Sequence, residues 1–264
     1  MNTDKPVSPF STDAGSSGSE VMLFGHRGYS ALAPENTLAA FSLLLEHGIP
    51  GVELDVRLSG DGKVVVIHDE NVKRVTGVDA LVQECRASRL KRMDAGSWFG
   101  EPFKNEGIPL LDEVFELAGD RLYYDIELKW VHRESGGLEQ AVVSRIRSHR
   151  MSDRCLISSF NPFCIRRIQA MAPDIPTAHT YARYRRVPLL LRRGQAGVAI
   201  PTPYMKPRWS QVNLFSSFIL RRMLRSRILT WTVDDPQEAT RLIHLGVKGI
   251  ISNHPSKIKA VLLR

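Results

Sequence analysis

Short strand-like runs recur along the chain at intervals that suit one architecture above others. They start near residues 22, 51, 122, 155, 176, 196, 227 and 249, and helical patterns separate most of them. The first unit is clear. Val21-Met22-Leu23-Phe24 is apolar, Pro34–Thr37 opens a helix with an apolar stripe of Leu38, Phe41 and Leu45, Gly48 ends it, and a second strand follows at Gly51. Strand, helix and strand within about 35 residues form the parallel βαβ repeat. Eight such strands over about 245 residues predict an α/β fold, the (β/α)₈ TIM barrel, for which about 250 residues is usual. A doubly wound sheet is the competing arrangement, but no Gly-rich dinucleotide or Walker loop supports it.

The second strand, Gly51-Val52-Glu53-Leu54-Asp55-Val56-Arg57, alternates apolar and polar residues. Side chains two apart on a strand share a face, so Glu53 and Asp55 point one way and Val52, Leu54 and Val56 the other. Two carboxylates so placed repel unless a cation or proton sits between them. Ser59-Gly60-Asp61-Gly62 then turns the chain into Val64–Ile67, a hairpin that delivers His68. The strand from Arg121 to Lys129 sets Tyr123, Asp125, Glu127 and Lys129 on one face. In a barrel the reactive groups sit at the C-terminal strand ends. His26 and Arg27, Glu53 and Asp55, and Glu127 and Lys129 all fall there. An oxygen-rich acidic set favours Mg²⁺ or Ca²⁺, with Mn²⁺ admissible, over Zn²⁺. Two histidines beside a metal suit proton transfer, and Arg27 and Lys129 suit a phosphate; together they point to phosphodiester cleavage. Taken singly, Lys129 also suits an ordinary ion pair with Asp125 or Glu127, and Trp231 suits the core.

The first twenty residues are rich in Ser, Gly, Asp and Pro and lack the pattern of a secretory signal, so 1–20 is expected to be a disordered tail before a barrel over 21–264. Three scattered cysteines, Cys85, Cys155 and Cys164, fit a reducing compartment, hence the cytoplasm. No apolar run is long enough to span a membrane. The formal charge of +8 is local: eleven bases and no acid lie between Asp174 and Asp234, leaving 25 bases against 28 acids elsewhere. Within 182–226, Val187–Leu191 is flanked by Arg185-Arg186 and Arg192-Arg193, while Phe215, Phe218, Ile219 and Leu220 precede Arg221-Arg222 in an amphipathic helix expected over Gln211–Leu224. Bases beside exposed apolar residues suit peripheral contact with an anionic membrane. A solvated basic face over a packed helix is the plainer alternative. Few aromatics are interleaved for base stacking, so no nucleic acid partner is expected.

Eight ordered motifs resemble the glycerophosphodiester phosphodiesterases: Gly25-His26-Arg27-Gly28, Pro34-Glu35-Asn36-Thr37, Glu53-Leu54-Asp55-Val56, Val66-Ile67-His68-Asp69, Ile108-Pro109-Leu110-Leu111, Ile126-Glu127-Leu128-Lys129, Ser158-Ser159-Phe160-Asn161 and Trp231-Thr232-Val233. They cover roughly residues 22 to 255. The resemblance implies a TIM barrel with a small insertion at about 59–110. It implies a divalent metal held by Glu53, Asp55 and Glu127, with His26 and His68 as the acid/base pair. Arg27 and Lys129 would contact the phosphate, and Trp231 would line the substrate pocket. The implied reaction is metal-dependent hydrolysis of a glycerophosphodiester to glycerol 3-phosphate and an alcohol, with water or a neighbouring substrate hydroxyl attacking. A lysophospholipase D type of activity at an anionic membrane is the nearest rival, and a non-catalytic binder of phosphodiesters or lipids the rival from another class. Two positions depart from the family's pattern: Asp234 stands where Asn is frequent, and Asn253 where Asp is frequent. Both are expected to affect the pocket rim and not the metal or acid/base positions.

Overall fold

The computed structural model describes residues 10, 21–184, 189 and 192–263. Eight parallel strands close into a barrel: β1 (Met22–His26), β2 (Gly51–Leu58), β4 (Tyr123–Leu128), β5 (Cys155–Ser159), β6 (Thr177–Tyr181), β7 (Tyr204–Pro207), β8 (Arg227–Thr230) and β9 (Gly249–Ser252). β1 pairs with both β2 and β9, which closes the ring. A short β3 (Val64–Val66) adds antiparallel to the end of β2 as the expected hairpin. Helices α1 (Leu38–Glu46), α4 (Leu111–Ala118), α5 (Leu138–Ser148), α6 (Pro162–Met171), α8 (Leu214–Phe218) and α9 (Pro236–His244) lie between strands, and α10 (Pro255–Leu262) follows the last one. Short helices α2 (Lys73–Thr76) and α3 (Ala87–Leu90) belong to the insertion, and α7 (Ala196–Ala199) follows β6.

The alternation along each strand sorts the side chains. Val52, Leu54 and Val56 of β2, with Tyr124, Ile126 and Leu128 of β4, face the helices and join the main hydrophobic cluster. The opposite face lines the barrel. Its lower part is apolar, with Phe24, Leu156, Ala178, Tyr204, Leu229 and Ile251 packed together. Gly51 makes room there, because a Cβ on it would meet the Phe24 ring at 2.5 Å. Phe10 seals this floor. It is 3% exposed, and its ring lies 5.8 Å from Tyr123 and 6.0 Å from Tyr204, both edge-on. The expectation of a disordered tail falls on residues 1–9 and 11–20, which lie outside the described residues; Phe10 is described, and it packs on the aromatic floor.

The insertion carries a separate small core of Val65, Ile67, Val72, Val75, Val82 and Leu90, among others. Three other sequence readings need correcting. The segment at 196–200 is not a strand. Ala196–Ala199 is a helical turn, and the sixth barrel strand begins at Tyr204. Apolarity alone favoured 196–200, whereas the barrel's register selects Tyr204-Met205-Lys206-Pro207, which pairs with β6 and β8. The amphipathic helix expected over Gln211–Leu224 is shorter, beginning at Leu214 with Asn213 as its cap and passing into a π-helical turn over Ile219–Met223. Leu220, expected to be exposed, is buried. The basic stretch 185–188 and residues 190 and 191 lie outside the described residues.

Candidate active site

β2 and β4 run side by side with Glu53 opposite Asp125 and Asp55 opposite Glu127. Because these residues share the inner face, four carboxylates meet in the upper barrel, all 4% exposed or less. One ligand oxygen from each of Glu53, Asp55 and Glu127 lies within 4.8 Å of the others. Oxygen donors around one divalent cation stand about 2.0–2.6 Å from it, so donors within this separation can share an ion. The hard, buried oxygen set fits a divalent metal.

Three cations hold this acidic cluster together. The Arg27 backbone N–H donates to Glu53 (3.2 Å), and its guanidinium sits 3.2 Å from Asp55. Lys129 Nζ lies 3.1 Å from Asp55 and 2.5 Å from Glu127. The third is Lys206 on β7, one of the eleven bases of the acid-free interval and absent from the sequence-derived site. It is 1% exposed, and its Nζ lies 2.9 Å from Asp125 and 3.2 Å from each of Glu53, Glu127 and Ser158 Oγ. Burial alone would raise every carboxylate here. At Asp55 the charges of Lys129 and Arg27 outweigh it and hold the group well below the usual range. At Glu127, Lys129 and then Lys206 bring it down to about 2. Asp125 is different: burial, reinforced by Glu53, pushes it up to about 6 despite Lys206. Burial would lower Lys206, but Asp125, Glu53 and Glu127 hold it charged, well above its usual value.

The local chain explains these placements. Arg27 takes a positive φ of 53° in the turn after β1, which aims both its backbone N–H and its side chain at β2. Thr37 caps α1 through the Ala40 N–H. That leaves Asn36 free to donate to Asp55 (2.9 Å) and to accept from the Asp55 N–H.

Each histidine is anchored at Nδ1. His26 Nδ1 lies 2.7 Å from Asn253 Oδ1, an oxygen that also accepts from Ser30. The Asn253 amide in turn donates to Asp234 (2.8 Å), so its oxygen faces His26 and His26 Nδ1 carries the proton. His26 Nε2 is left 3.9 Å from Glu53. The two departures expected at the rim therefore bond to one another behind His26. His68 Nδ1 donates to Asp69 (2.7 Å). Burial first, then Lys129, lowers the His68 pKa below its usual value and favours the neutral imidazole. Trp231 is half-buried, donates from Nε1 to the Lys206 carbonyl, and meets Phe160 and Tyr184 edge-on. The structure thus gathers His26, Arg27, Glu53, Asp55, Glu127 and Lys129 by direct contacts, brings His68 into their field, and sets Trp231 beside Lys206.

Comparison with known proteins matches this arrangement. The model of the glycerophosphoryl diester phosphodiesterase family matches residues 26–257. A glycerophosphodiester phosphodiesterase of Caldanaerobacter subterraneus is 35% identical over 248 residues, covering 90% of this chain and 96% of that protein. One from Bacillus altitudinis is 31% identical over 238 residues, covering 89% and 95%. The solved structure of an Oleispira antarctica phosphodiesterase in complex with the product sn-glycerol-3-phosphate superposes with a TM-score of 0.81 at 30% identity, covering 93% of this chain and 98% of that one.

Proposed function

The chain belongs to the glycerophosphoryl diester phosphodiesterase family, and from that premise we propose how its residues divide the reaction. It is a phosphoric diester hydrolase acting on glycerophosphodiesters. Glu53, Asp55 and Glu127 would hold one divalent cation, Mg²⁺ or Ca²⁺, which when bound supplies positive charge for the phosphoryl oxygens. Arg27 and Lys129 bind the phosphate from its flanks. His26 and His68 exchange protons with the attacking and leaving oxygens through Nε2, since each Nδ1 is committed to a partner. Trp231, with Tyr184 and Phe160 around it, lines the substrate's entry. A cavity of about 330 Å³ beside Lys129, walled by Glu70, Gln83, Trp130 and His132, gives the alcohol group room.

The observation that carries this reading is the triad of buried carboxylates between two histidines with fixed tautomers. The four carboxylates face three cations, so a divalent ion and a monoanionic phosphodiester together bring the cluster to zero charge. The test is release of glycerol 3-phosphate from glycerophosphocholine and glycerophosphoglycerol with Mg²⁺, Ca²⁺ or EDTA. Wild type should turn over only with metal, and His26→Ala should not turn over. Metal-independent turnover, or full activity in the variant, overturns the assignment.

The catalytic rim also supports contact with an anionic lipid surface. Leu214 and Phe215 are 80% and 75% exposed at the start of α8, close after the catalytic end of β7. Leu189, beyond β6, is exposed as well, and Arg183, Arg193 and Arg222 stand exposed in the same interval. Apolar side chains among bases favour a lipid-presented substrate over a nucleic acid. Sedimentation with anionic vesicles should exceed that with neutral ones and fall for Leu214→Ser/Phe215→Ser; equal sedimentation removes the membrane from this account.

A further inference from the structure

One guanidinium of the insertion is bonded to both sides of the site. Arg74 lies on α2 (Lys73–Thr76), whose neighbours Val72 and Val75 are buried in the insertion's own core. Its Nε donates to Asp69 (2.5 Å). Its two terminal nitrogens donate to the two oxygens of Glu35, at 2.6 and 3.1 Å. Each of these carboxylates has a second partner. Asp69 holds His68 Nδ1 at 2.7 Å, and Glu35 holds Arg27 Nη1 at 2.7 Å.

We propose that Arg74 is a positioning residue, a single clamp that sets the orientation of both His68 and Arg27. The inference rests on the roles assigned above to those two residues. Three points support it. The fork of an Arg side chain can hold two carboxylates at once in fixed geometry, which a Lys ammonium does not reproduce. Glu35 and Asp69 approach a common centre, so without the guanidinium they repel and swing apart, each taking its partner with it. The Arg74 side chain is 46% exposed, where an ion pair adds little to stability, so its effect falls on orientation more than on folding. The clamp also explains how an insertion with its own core bears on chemistry at the barrel mouth: His68 and Asp69 sit at its edge, and Arg74 ties that edge back to the turn after β1.

Misplacement of reacting groups by about 1 Å can slow a reaction about 100-fold. Arg74→Ala should therefore lower kcat/KM by about 100-fold, through both a lower kcat and a higher KM, with thermal melting unchanged within a few degrees. Arg74→Lys should fall between. Asp69→Asn should act mainly on kcat through His68, and Glu35→Gln mainly on KM through Arg27. In the Glu35→Gln/Asp69→Asn background, Arg74→Ala should add less than twofold. Lys73→Ala, which loses only an exposed pair with Asp79, should stay within twofold of wild type. A folded Arg74→Ala within twofold of wild type overturns the clamp, and so does a full-sized effect in the double background. His68→Ala and Arg27→Ala in the same assay separate the two levels. If both lose turnover while Arg74→Ala is normal, the clamp alone falls. If either keeps wild-type turnover, the roles fall and the clamp with them.

Discussion

Two side chains that looked like irregularities in the sequence form one hydrogen-bonded unit behind His26. Asp234 accepts from the Asn253 amide, and Asn253 accepts from His26, so the charge sits one residue back from the histidine. Asn253→Asp alone would place two carboxylates face to face beside His26, and we expect about a tenfold loss of kcat. Exchanging both, Asp234→Asn/Asn253→Asp, removes the repulsion and should recover most of it. A double-mutant cycle reads the coupling directly, and additive losses would mean that the two positions act independently. Sequence reading could place both residues near strand ends but could not pair them, because they follow different strands, β8 and β9. The other site residues were more legible. His26, Glu53, Asp55 and Glu127 lie on strands whose alternation already sets them inward.

At the level of the strands, β7 is where the sequence was least readable and where the site depends on it most. A four-residue strand ending in Pro and carrying a Lys gives no periodic signal, while Ala196–Ile200 gives a false one. Lys206 is visible only once β7 stands across the barrel from the acidic pairs of β2 and β4. Its ammonium then acts as a permanent counter-charge beneath the carboxylates. Lys206→Met would leave three buried acids short of a partner, and breaking such a buried set costs about 3–5 kcal/mol. We expect a clear drop in melting temperature in EDTA and a larger upward shift on adding Mg²⁺ than wild type shows. An unchanged melt in EDTA would assign Lys206 no part in holding the cluster. By contrast, the cap of α9 lies in neighbouring residues, Asp235-Pro236, where the Asp235 carboxylate accepts from the Gln237 N–H. Capping is a local matter of a few neighbouring residues, and β7's placement is not.

Over the whole molecule, the barrel divides into an apolar floor and a charged mouth; the alternation of two strands was enough to anticipate the charged mouth, and the floor was not read. The floor's last piece was not anticipated, since Phe10 stands alone in a polar tail and carries no periodicity. Phe10→Ala should lower unfolding stability by about 3 kcal/mol, the usual loss for a buried aromatic ring, measured by urea titration. A chain starting at residue 21 should lose as much, and an unchanged midpoint in both would make the ring dispensable. The family model's match begins at His26, and the ring that closes the barrel stands sixteen residues earlier. A fragment cut to the residues that the family model matches would therefore carry the charged mouth over an open base.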